Sequence, residues 1–474
     1  MFYDIIIIGG GAAGLMAAYG AAASLPKPAV LVLEKMTRPG RKIMITGKGR
    51  CNFTNVKEWH DFSTHIRTRK NFLKPAFFNF PPEKMIGFLN DNGLDTVVER
   101  GDRAFPASHK ASDVVDTLTK TAVDAGAVIR TGSEVVSVDQ KDGEFLIKCK
   151  DGGGFSCRAL IIATGGLSYP ASGSSGDGYL IAEKFGHKIC RLFPSLTALV
   201  PKGYKMTDIP ASAGQKNDID GMFRKEVKDI SGEGLAKLIR RDTPLSEMGA
   251  ALNGIQLKNV RATLISGGRE TEECKGDVDF TDGGMEGPVG FRISRDCVKA
   301  MIDGNKTAVV LDMKPAVDEK QLASRISALW DSVRNDRRSS RLSTREMARV
   351  LLGKLMPWEL VPGFMKWNSA IFKGKKNLPR LDIDEVAGTL KGWRFEIEGY
   401  VGYERCVVTA GGVSTEEVFP KTMESRLVKG MYFCGEVLDI DSDTGGYNLQ
   451  TAFSTGLLAG RSAAANADGD RISV

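Results

Sequence analysis

A strand, a glycine-rich turn and a helix near the start of the chain constrain its fold more than any other stretch. Ile5–Ile8 is apolar without interruption, as in a strand buried on both faces of a parallel sheet. Gly9, Gly11 and Gly14 follow at G-x-G-x-x-G spacing, and an alanine-rich segment leads to a second apolar strand ending at Glu34. This order predicts an α/β, Rossmann-like unit that binds a dinucleotide.

Each residue of this motif has a physical task. Gly9 allows a tight turn out of the strand, Gly11 lets the backbone approach a pyrophosphate, and Gly14 lets the helix pack closely on the sheet. The helix N-terminus offers free N–H groups to the phosphates. Glu34, twenty residues after Gly14, is placed to accept hydrogen bonds from a ribose diol. The motif alone leaves both FAD and NAD(P) open as ligands.

The composition is that of an ordinary globular protein with more than one domain. A chain of 474 residues is too long for one core, and its net charge of +7 argues neither for nor against nucleic acid. No apolar run reaches the eighteen or so residues that span a bilayer, and the apolar N-terminus lacks a charged leader, so we predict a strand rather than a signal peptide. The eight cysteines form no C-x-x-C pair and the four histidines show no ligand spacing. We therefore expect no disulfide framework, no metal site and a cytoplasmic location.

The residue pattern changes twice along the chain, which predicts a domain interrupted by an insert. Strands and helices alternate at first, a β-rich and then a helical region follow, and a β pattern returns near the end. The stretch 216–247 is polar and is interpreted as a variable excursion, and 277–294 as a glycine-rich turn between β segments. The predicted parts are 1–195 plus 392–474 for the discontinuous domain, and 196–391 for the insert, comprising β-rich 196–316, helical 317–372 and a return segment 373–391.

Single side chains that could carry chemistry have simpler structural interpretations. Cys51 could be half of a flavin-linked dithiol, but no partner cysteine lies nearby in sequence, so we interpret it as a structural thiol. His187 follows a predicted helix, where a cation suits the dipole, and is interpreted as a cap. His60 and His65 lie in a polar stretch and are interpreted as loop residues. Nothing in the sequence places an acid–base residue by geometry.

Two further glycine turns return to the same ligand. Ala159–Ala163 is a buried strand that runs into the turn Thr164–Gly166, where small residues allow backbone and cofactor to approach closely. Met431–Gly435 is another apolar strand, followed by acidic residues, Gly445–Gly446 and a helix predicted from Thr451. A second helix N-terminus can stabilise the far side of a long dinucleotide, or the negative charge of a reduced flavin ring. This arrangement favours FAD over NAD(P) as the resident ligand.

Four segments together resemble one protein family. They read DIIIIGGGAAGLMAA, GRKIMITGKGRCNFTN, IIATGGLSYPASGSSGDGYLIAEKFGH and VTAGGVSTEEVFPKTMESRLVKGMYFCGEVLDIDSDTGGYNLQTAFSTGLLAG. They are similar to the bacterial NAD(P)/FAD-dependent oxidoreductases, a group that includes aminoacetone oxidase and the flavin reductases of bile-acid dehydroxylation. The resemblance implies a two-dinucleotide-binding-type FAD domain, as in glutathione reductase relatives, with a β and helical insert. The FAD contacts that it implies are Gly9, Gly11, Ala13, Gly14, Glu34, Lys35, Arg41, Gly47, Gly49, Arg50, Cys51, Asn52, Thr54, Thr164, Gly165, Gly435, Glu436, Asp439, Gly446, Tyr447, Asn448 and Leu449, with Val135 as a backbone contact to adenine.

The resemblance implies an FAD-dependent oxidoreductase whose small-molecule substrate meets the flavin between the FAD domain and the insert, with Tyr169 and Tyr447 as candidate borders. Two reactions stay open: NAD(P)H-driven reduction of an activated C=C bond, and oxidation of a small amine by O2. Only one full G-x-G-x-x-G is present, so NAD(P)H would bind transiently. A flavoprotein acting on tRNA is a third option, but the arginine cluster 334–345 is short and lacks aromatic residues, so we expect no nucleic-acid partner. Met285 and Glu286 depart from the family pattern, which leaves the substrate open.

Overall fold

The computed structural model describes residues 1–206, 237–375 and 378–469. It divides the chain into two compact units, Met1–Pro194 with the residues from Val407 onward, and Ser195–Cys406. Most of the polar stretch 216–247 lies outside the described residues. No helix in the described part of the chain is long and apolar enough to cross a membrane.

The first unit is built on a seven-stranded sheet with the opening strand at its centre. Ile5, Ile6 and Ile7 are completely buried, because the strand has a parallel neighbour on each side and elements covering both faces. The C-terminal strand joins the same sheet, parallel to its neighbour. The strands in spatial order are Val128–Arg130, Val30–Leu33, Phe2–Ile8, Gly154–Ile162, Glu144–Cys149 and Val135–Lys141, with Met431–Phe433 also paired to Gly154–Ile162.

Two helices from distant parts of the sequence cross in direct backbone contact, Ala12–Ala22 and Tyr447–Gly469. A Cβ on Gly456 would lie 2.2 Å from the carbonyl oxygen of Ala13. A Cβ on Gly460 would lie 2.1 Å from the carbonyl oxygen of Ala17, one turn further along the first helix. Both contacts advance by four residues, so the helices run in the same direction. Only glycine leaves room for this approach.

The rest of the first unit frames these helices. Phe453 and Leu457 of the second helix share a hydrophobic core with Leu15 and Met16 of the first. The last helix begins at Tyr447, four residues before the predicted start at Thr451. The remaining elements are the helices Arg41–Ile45, Trp59–Phe62, Lys70–Asn79, Pro82–Asp91, Ala111–Ala125 and Asp177–Lys184, the three-stranded sheet Thr54–Asn55, Arg103–Pro106 and Thr96–Glu99, and the strand pair Ile189–Ser195 and Val408–Val413.

The second unit contains a seven-stranded sheet that closes on itself. Leu199–Pro201 pairs with Gly284–Glu286 on one side and with Trp393–Val401 on the other, so six strands form a ring. Residues 392–406, which the sequence interpretation gave to the FAD domain, therefore lie in the second unit. The strand order is Leu199–Pro201, Gly284–Glu286, Arg269–Thr281, Gln256–Ser266, Thr307–Asp312, Trp393–Val401 and Lys237–Ile239.

Helices pack with this sheet and form a small bundle after it. The expectation of a plain turn at 277–294 is wrong, because a helix begins at Gly287. Pro288 suits the first helical turn, and Val289, Ile293 and Val298 supply a buried face. The helices are Glu247–Leu252, Gly287–Ile302, Glu319–Asn335, Thr344–Gly353, Val361–Trp367 and Ile383–Lys391, and a hairpin pairs Phe372–Lys375 with Leu378–Leu381.

Candidate functional site

The first glycine turn combines close packing with an open helix N-terminus. Gly9 has φ of +103°, and a Cβ there would lie 2.5 Å from the carbonyl oxygen of Ala163. A Cβ on Gly14 would lie 1.9 Å from the carbonyl oxygen of Gly9, whereas one on Gly11 would meet nothing within 4 Å. The helix that begins after Gly11 has no side-chain cap and no acidic residue in its first turn. Its free N–H groups therefore face open space that suits a phosphate.

Glu34 holds a fixed, buried carboxylate at the end of the second strand. Its two oxygens accept hydrogen bonds from the backbone N–H groups of Gly10 at 2.8 Å and Met36 at 2.7 Å. Burial raises the pKa of Glu34, and these hydrogen bonds and the charges of Lys35 and Arg41 oppose that rise. Each oxygen keeps a lone pair for a further donor. The geometry suits the ribose diol that the sequence predicted.

The hairpin that begins at Val135 borders Glu34. The backbone N–H of Ser133 donates to the carbonyl oxygen of Glu34 at 2.9 Å, and Val135 follows two residues later, half-buried. The main chain of Val135 thus lies beside the strand end that carries the acid. The backbone contact of Val135 to adenine stays a prediction.

Lys35 and Arg41 differ in how far they are already engaged. The ammonium of Lys35 lies 2.6 Å from a carboxylate oxygen of Asp177. The backbone N–H of Gly40 donates to the carbonyl oxygen of Gly10 at 2.9 Å. This hydrogen bond brings the next residue, the exposed Arg41, to the first glycine turn. Arg41 is therefore available to an anion, while Lys35 is held by Asp177.

The second glycine loop, residues 46–52, forms a tight turn whose arginine is engaged. Gly47 and Gly49 are exposed, with φ of +57° and +85°. The guanidinium of Arg50 pairs with Glu99 and lies 4.4 Å from the ring centroid of Phe105. Arg50 is thus held by protein groups, whereas the exposed backbone at Gly47 and Gly49 is free to meet a ligand.

The thiol of Cys51 points into the core. Its side chain is completely buried in a hydrophobic cluster with Phe53 and Phe453. Burial raises the pKa of the Cys51 thiol to about 12, and a hydrogen bond with Thr46 opposes the rise. The structural interpretation of this cysteine holds, since neither solvent nor a second thiol reaches it.

The C-terminal glycine pair packs onto the segment after the second glycine loop. A Cβ on Gly446 would lie 2.4 Å from the carbonyl carbon of Thr54 and 2.9 Å from Oδ1 of Asn52. The hydroxyl of Thr54 donates to Oε1 of Gln450 at 2.6 Å. Two segments about 390 residues apart in sequence therefore build one wall.

The strand end at Gly435 meets the first helix directly. A Cβ on Gly435, which has φ of +76°, would lie 2.7 Å from Cβ of Ala13. The carboxylate of Glu436 accepts hydrogen bonds from Lys42 at 2.5 Å and from the backbone N–H of Thr409 at 2.8 Å. Glu436 therefore acts as an anchor for its neighbours.

Three buried amide and hydroxyl atoms near the N-terminus of the second helix have no hydrogen-bond partner among the described residues. They are Oδ1 of Asn52, Oγ of Ser442 and Oγ1 of Thr451. The Asn448 side chain fixes this loop, since its amide donates to the carbonyl oxygen of Ser442 at 2.9 Å and its Oδ1 accepts from the backbone N–H of Ser442 at 3.0 Å. Buried polar atoms without partners cost free energy unless a ligand satisfies them. The polar edge of an isoalloxazine ring, with both donors and acceptors, fits this set.

The remaining predicted residues pack around the same framework. Tyr447 is 3% exposed and stacks on His65, so it does not border an open cleft on that face. Tyr169 is half-buried with φ of +52°. The carboxylate of Asp439 lies beside Cys190, and Leu449 packs against the hydrophobic cluster. Thr164 and Gly165 lie at the strand end. A Cβ on Gly165 would lie 3.0 Å from Oγ of Ser174, and a Cβ on Gly178 would lie 2.1 Å from Oγ1 of Thr164.

The structure therefore gathers the predicted residues into two groups, one at each helix N-terminus. Sequence interpretation missed Ser442 and Thr451, although both are hydroxyl residues flanking the glycine pair. It also took His65 as a loop residue, because its partner Asp443 is 378 residues away in the sequence.

Comparison with known proteins identifies the family. The sequence profile described as the HI0933-like protein Rossmann domain matches residues 3–462. The chain belongs to this family. Its predicted fold class, a Rossmann-like FAD domain interrupted by a β-rich and helical insert, is confirmed, and members of this HI0933-like family are flavin oxidoreductases.

Relatives match along almost their whole length. The chain is 30% identical over 463 residues to the 3-dehydro-bile acid delta(4,6)-reductase of Clostridium scindens, with 97% of this chain and 98% of the relative covered. It is 29% identical over 453 residues to the ribosomal RNA dihydrouridine synthase of Escherichia coli, with 96% of each covered. The enzyme of the same name from Haemophilus influenzae is 28% identical over 458 residues, again with 96% of each covered. This HI0933-like protein is thus an FAD-dependent oxidoreductase.

Proposed function

We propose that this protein reduces an activated C=C bond, one conjugated to a carbonyl group, with NAD(P)H as a transient electron donor. The names of its full-length relatives carry the proposal. A 3-dehydro-bile acid delta(4,6)-reductase and a dihydrouridine synthase each saturate a ring C=C bond that is conjugated to a carbonyl. The substrates differ in size and charge, but the bond that changes is of one chemical class.

The spacing of the two helix N-termini supports FAD as the bound cofactor. Gly456, which meets Ala13 at the start of the first helix, lies nine residues after Tyr447. At about 1.5 Å per residue, the second helix extends roughly 14 Å from this contact to its own N-terminus. Two positive helix ends so separated suit a ligand with a pyrophosphate at one end and a reducible ring at the other.

Bound FAD supplies the redox chemistry, as the carrier of a hydride equivalent. The chain supplies the rest. Gly11 and its helix receive phosphate, Glu34 accepts from the ribose, and Asn52, Ser442 and Thr451 offer polar atoms to the ring. The dipole of the helix that begins at Tyr447 stabilises negative charge at the ring.

A flavin-linked dithiol has no support in this site. The Cys51 thiol is completely buried, its pKa is raised to about 12, and the reactive thiolate is therefore scarce at neutral pH. Electrons then come from a diffusing donor, and a nicotinamide is the donor class we propose.

Anaerobic stopped-flow absorbance near 450 nm tests the proposal in two halves. Purified FAD-loaded protein is mixed with NADH, NADPH or a small aminoketone, and the reduced protein is then mixed with a 4-en-3-one steroid, cyclohexenone or O2. We expect bleaching by a nicotinamide and return of colour with an enone in the absence of O2. Bleaching by the amine with return of colour only in O2 would establish the alternative, an amine oxidase.

A second candidate is that the reducible bond is a uracil ring within RNA. An exposed cationic patch adjoins the second glycine loop and consists of Lys48, Arg100, Arg103 and Lys110. Its members form no ion pair with any described residue. The guanidinium of Arg103 lies 5.8 Å from the ring centroid of Phe105, and a Cβ on Gly47 would lie 3.7 Å from an atom of the same ring. Such a surface suits a phosphate backbone.

Salt-dependent binding of a ribosomal RNA fragment tests this candidate. In a filter-binding titration, R100Q/R103Q should weaken binding and reduce the salt slope by about 0.7 for each phosphate that the variant no longer neutralises. The matched control R337Q/R341Q changes exposed arginines in the second unit and should leave both values unchanged. Absence of binding at low salt, or equal weakening in both variants, would remove RNA as the substrate.

A further inference from the structure

His65 and Asp443 form a hydrogen-bonded pair in the first unit. Nδ1 of His65 lies 3.0 Å from Oδ2 of Asp443, and the imidazole stacks on Tyr447 with 4.3 Å between ring centroids and 17° between planes. Nε2 of His65 has no hydrogen-bond partner in the described part of the chain. The His65 side chain is 25% exposed and that of Asp443 only 7%. One ring nitrogen is thus fixed to a buried carboxylate, while the other is left for a ligand or solvent.

The backbone around the pair is pinned on both sides. Asp443 donates its N–H to the carbonyl oxygen of His65 at 2.9 Å, and Arg67 donates its N–H to that of Asp441 at 2.8 Å. The hydroxyl of Thr68 donates to Oδ1 of Asp441 at 3.0 Å. The imidazole therefore has a defined orientation, in contrast to the loop position that the sequence indicated.

The pair lies at the end of the site that would hold the reducible ring. Tyr447, on which His65 stacks, is the first residue of the second helix. The buried polar atoms of Asn52, Ser442 and Thr451 that lack partners surround the same helix N-terminus. Arg67 is a further charged group that faces the pair, and its Nε lies 3.5 Å from Oδ1 of Asp443.

We propose that His65, oriented by Asp443, is the acid that supplies the proton in the reduction of the C=C bond. The inference rests on the proposed function. Saturating the bond adds two hydrogens: a hydride equivalent, whose electron pair derives from the nicotinamide donor, goes to the carbon β to the carbonyl, and a proton goes to the α carbon. The imidazolium of His65 loses its Nε2 proton in that step and regains one from solvent through its exposed edge. Histidine suits this role because imidazoles exchange protons near neutral pH.

His65→Asn separates proton transfer from structure. The asparagine amide can still donate to Asp443 from nearly the position of Nδ1, but it cannot deliver a proton. His60→Asn is the matched control, since His60 is exposed and lies five residues away. In anaerobic stopped-flow, H65N should be reduced by NAD(P)H at the wild-type rate. Its reoxidation by the enone should be about 10²- to 10⁴-fold slower, with a flattened pH dependence, while H60N matches wild type.

A second readout does not depend on turnover. In ¹⁵N NMR of the imidazole, wild-type His65 should carry its proton on Nδ1 when neutral, and Asp443→Asn should lose that preference. FAD retention and melting temperature of H65N should equal those of wild type. Wild-type reoxidation rates and pH profile in H65N, or loss of FAD from it, would overturn the role of His65. If the wild-type protein itself is not reoxidised by an enone or by RNA, the proposed function fails, and the role of His65 fails with it.

Discussion

At the scale of single residues, burial decides which reactive side chains can act. The sequence suggested a redox role for Cys51 and a role as a cationic helix cap for His187. The structure buries both, because Cys51 lies in the core and the His187 ring lies edge-on to Phe433 at 4.8 Å. Burial raises the pKa of Cys51 and lowers that of His187. The cap interpretation of His187 stays a prediction, and the lowered pKa disfavours the charged ring on which it depends.

The cysteine thiols should resist alkylation in the native protein. At pH 8, iodoacetamide should leave Cys51 unmodified, because its pKa near 12 leaves little thiolate and its side chain is completely buried. Cys190, half-buried with a pKa raised to about 11, should react slowly. Peptide mass spectrometry with and without urea measures both. Fast labelling of Cys51 in the native protein would show that the core around it opens.

His187 should make the protein less stable as the pH falls below neutrality. Its folded-state pKa lies below the usual value of about 6.5, so the unfolded chain binds the proton first. Stability is thus full above pH 6.5 and is lost as the pH falls from there through the folded pKa. Glu417, whose Oε2 lies 3.3 Å from Nδ1 of His187, limits the effect.

Melting temperatures between pH 7.5 and 5 measure this dependence. His187→Gln should reduce the loss of melting temperature on acidification, and His60→Gln, at an exposed position, should not change it. Parallel curves for wild type and H187Q would show that His187 has the same pKa in the folded and the unfolded protein.

At the scale of elements, the sequence predicted several of the helices but not which ones touch. The G-x-G-x-x-G spacing predicts the first helix and the reason for Gly14. Nothing in local sequence distinguishes Gly456 and Gly460, which meet another backbone, from Gly87, where a Cβ would meet no atom within 4 Å. Their role depends on a partner helix more than 400 residues away, which periodicity cannot reveal.

Adding a methyl group at the helix crossing should separate the two helices. In Gly460→Ala the new Cβ would lie 2.1 Å from the carbonyl oxygen of Ala17, so the backbones must shift. We expect a loss of about 1–3 kcal/mol in the free energy of unfolding, together with weaker FAD retention. Gly87→Ala, in the helix Pro82–Asp91, should be neutral or stabilise the protein by up to about 1 kcal/mol. Urea denaturation and the flavin absorbance after gel filtration measure both effects, and equal behaviour of the two variants would contradict the close crossing.

At the scale of the whole molecule, the sequence predicted an interrupted domain but not where the interruption ends. Trp393–Val401 alternates apolar and polar residues as many half-buried strands do, and such a pattern does not say which sheet it joins. Its partner Leu199–Pro201 lies nearly 200 residues earlier, so the ring of six strands is also invisible to local pattern. The opening strand was predictable because a run of four β-branched isoleucines is typical of a strand covered on both faces.

The insert should be removable at its base. A Cβ on Gly411 would lie 2.1 Å from the carbonyl oxygen of Arg191, and Ser414 donates to the carbonyl oxygen of Lys188. This register is antiparallel, and extending it places Ser195 opposite Val407. Replacing 196–406 by Asn-Gly, a two-residue turn suited to hairpins, should give a chain that folds and retains FAD but lacks turnover.

Circular dichroism and flavin absorbance after gel filtration test the shortened chain. The matched control joins Ser195 to Val413 through the same turn, which deletes most of the strand Val408–Val413 and should abolish FAD retention. If both shortened chains retain FAD equally, the strand pair does not form the base of the insert.

The contact of residues 12–22 with residues 447–469 also determines when the first helix can pack during biosynthesis. The phosphate-binding turn leaves the ribosome first, yet the helix that covers it is translated more than 430 residues later. At about 5–20 residues per second, that wait lasts roughly 20–90 seconds. Throughout it, the nascent first helix has an uncovered alanine and glycine face, which is a natural client surface for a chaperone. Flavin capture should therefore follow synthesis of the helix that begins at Tyr447.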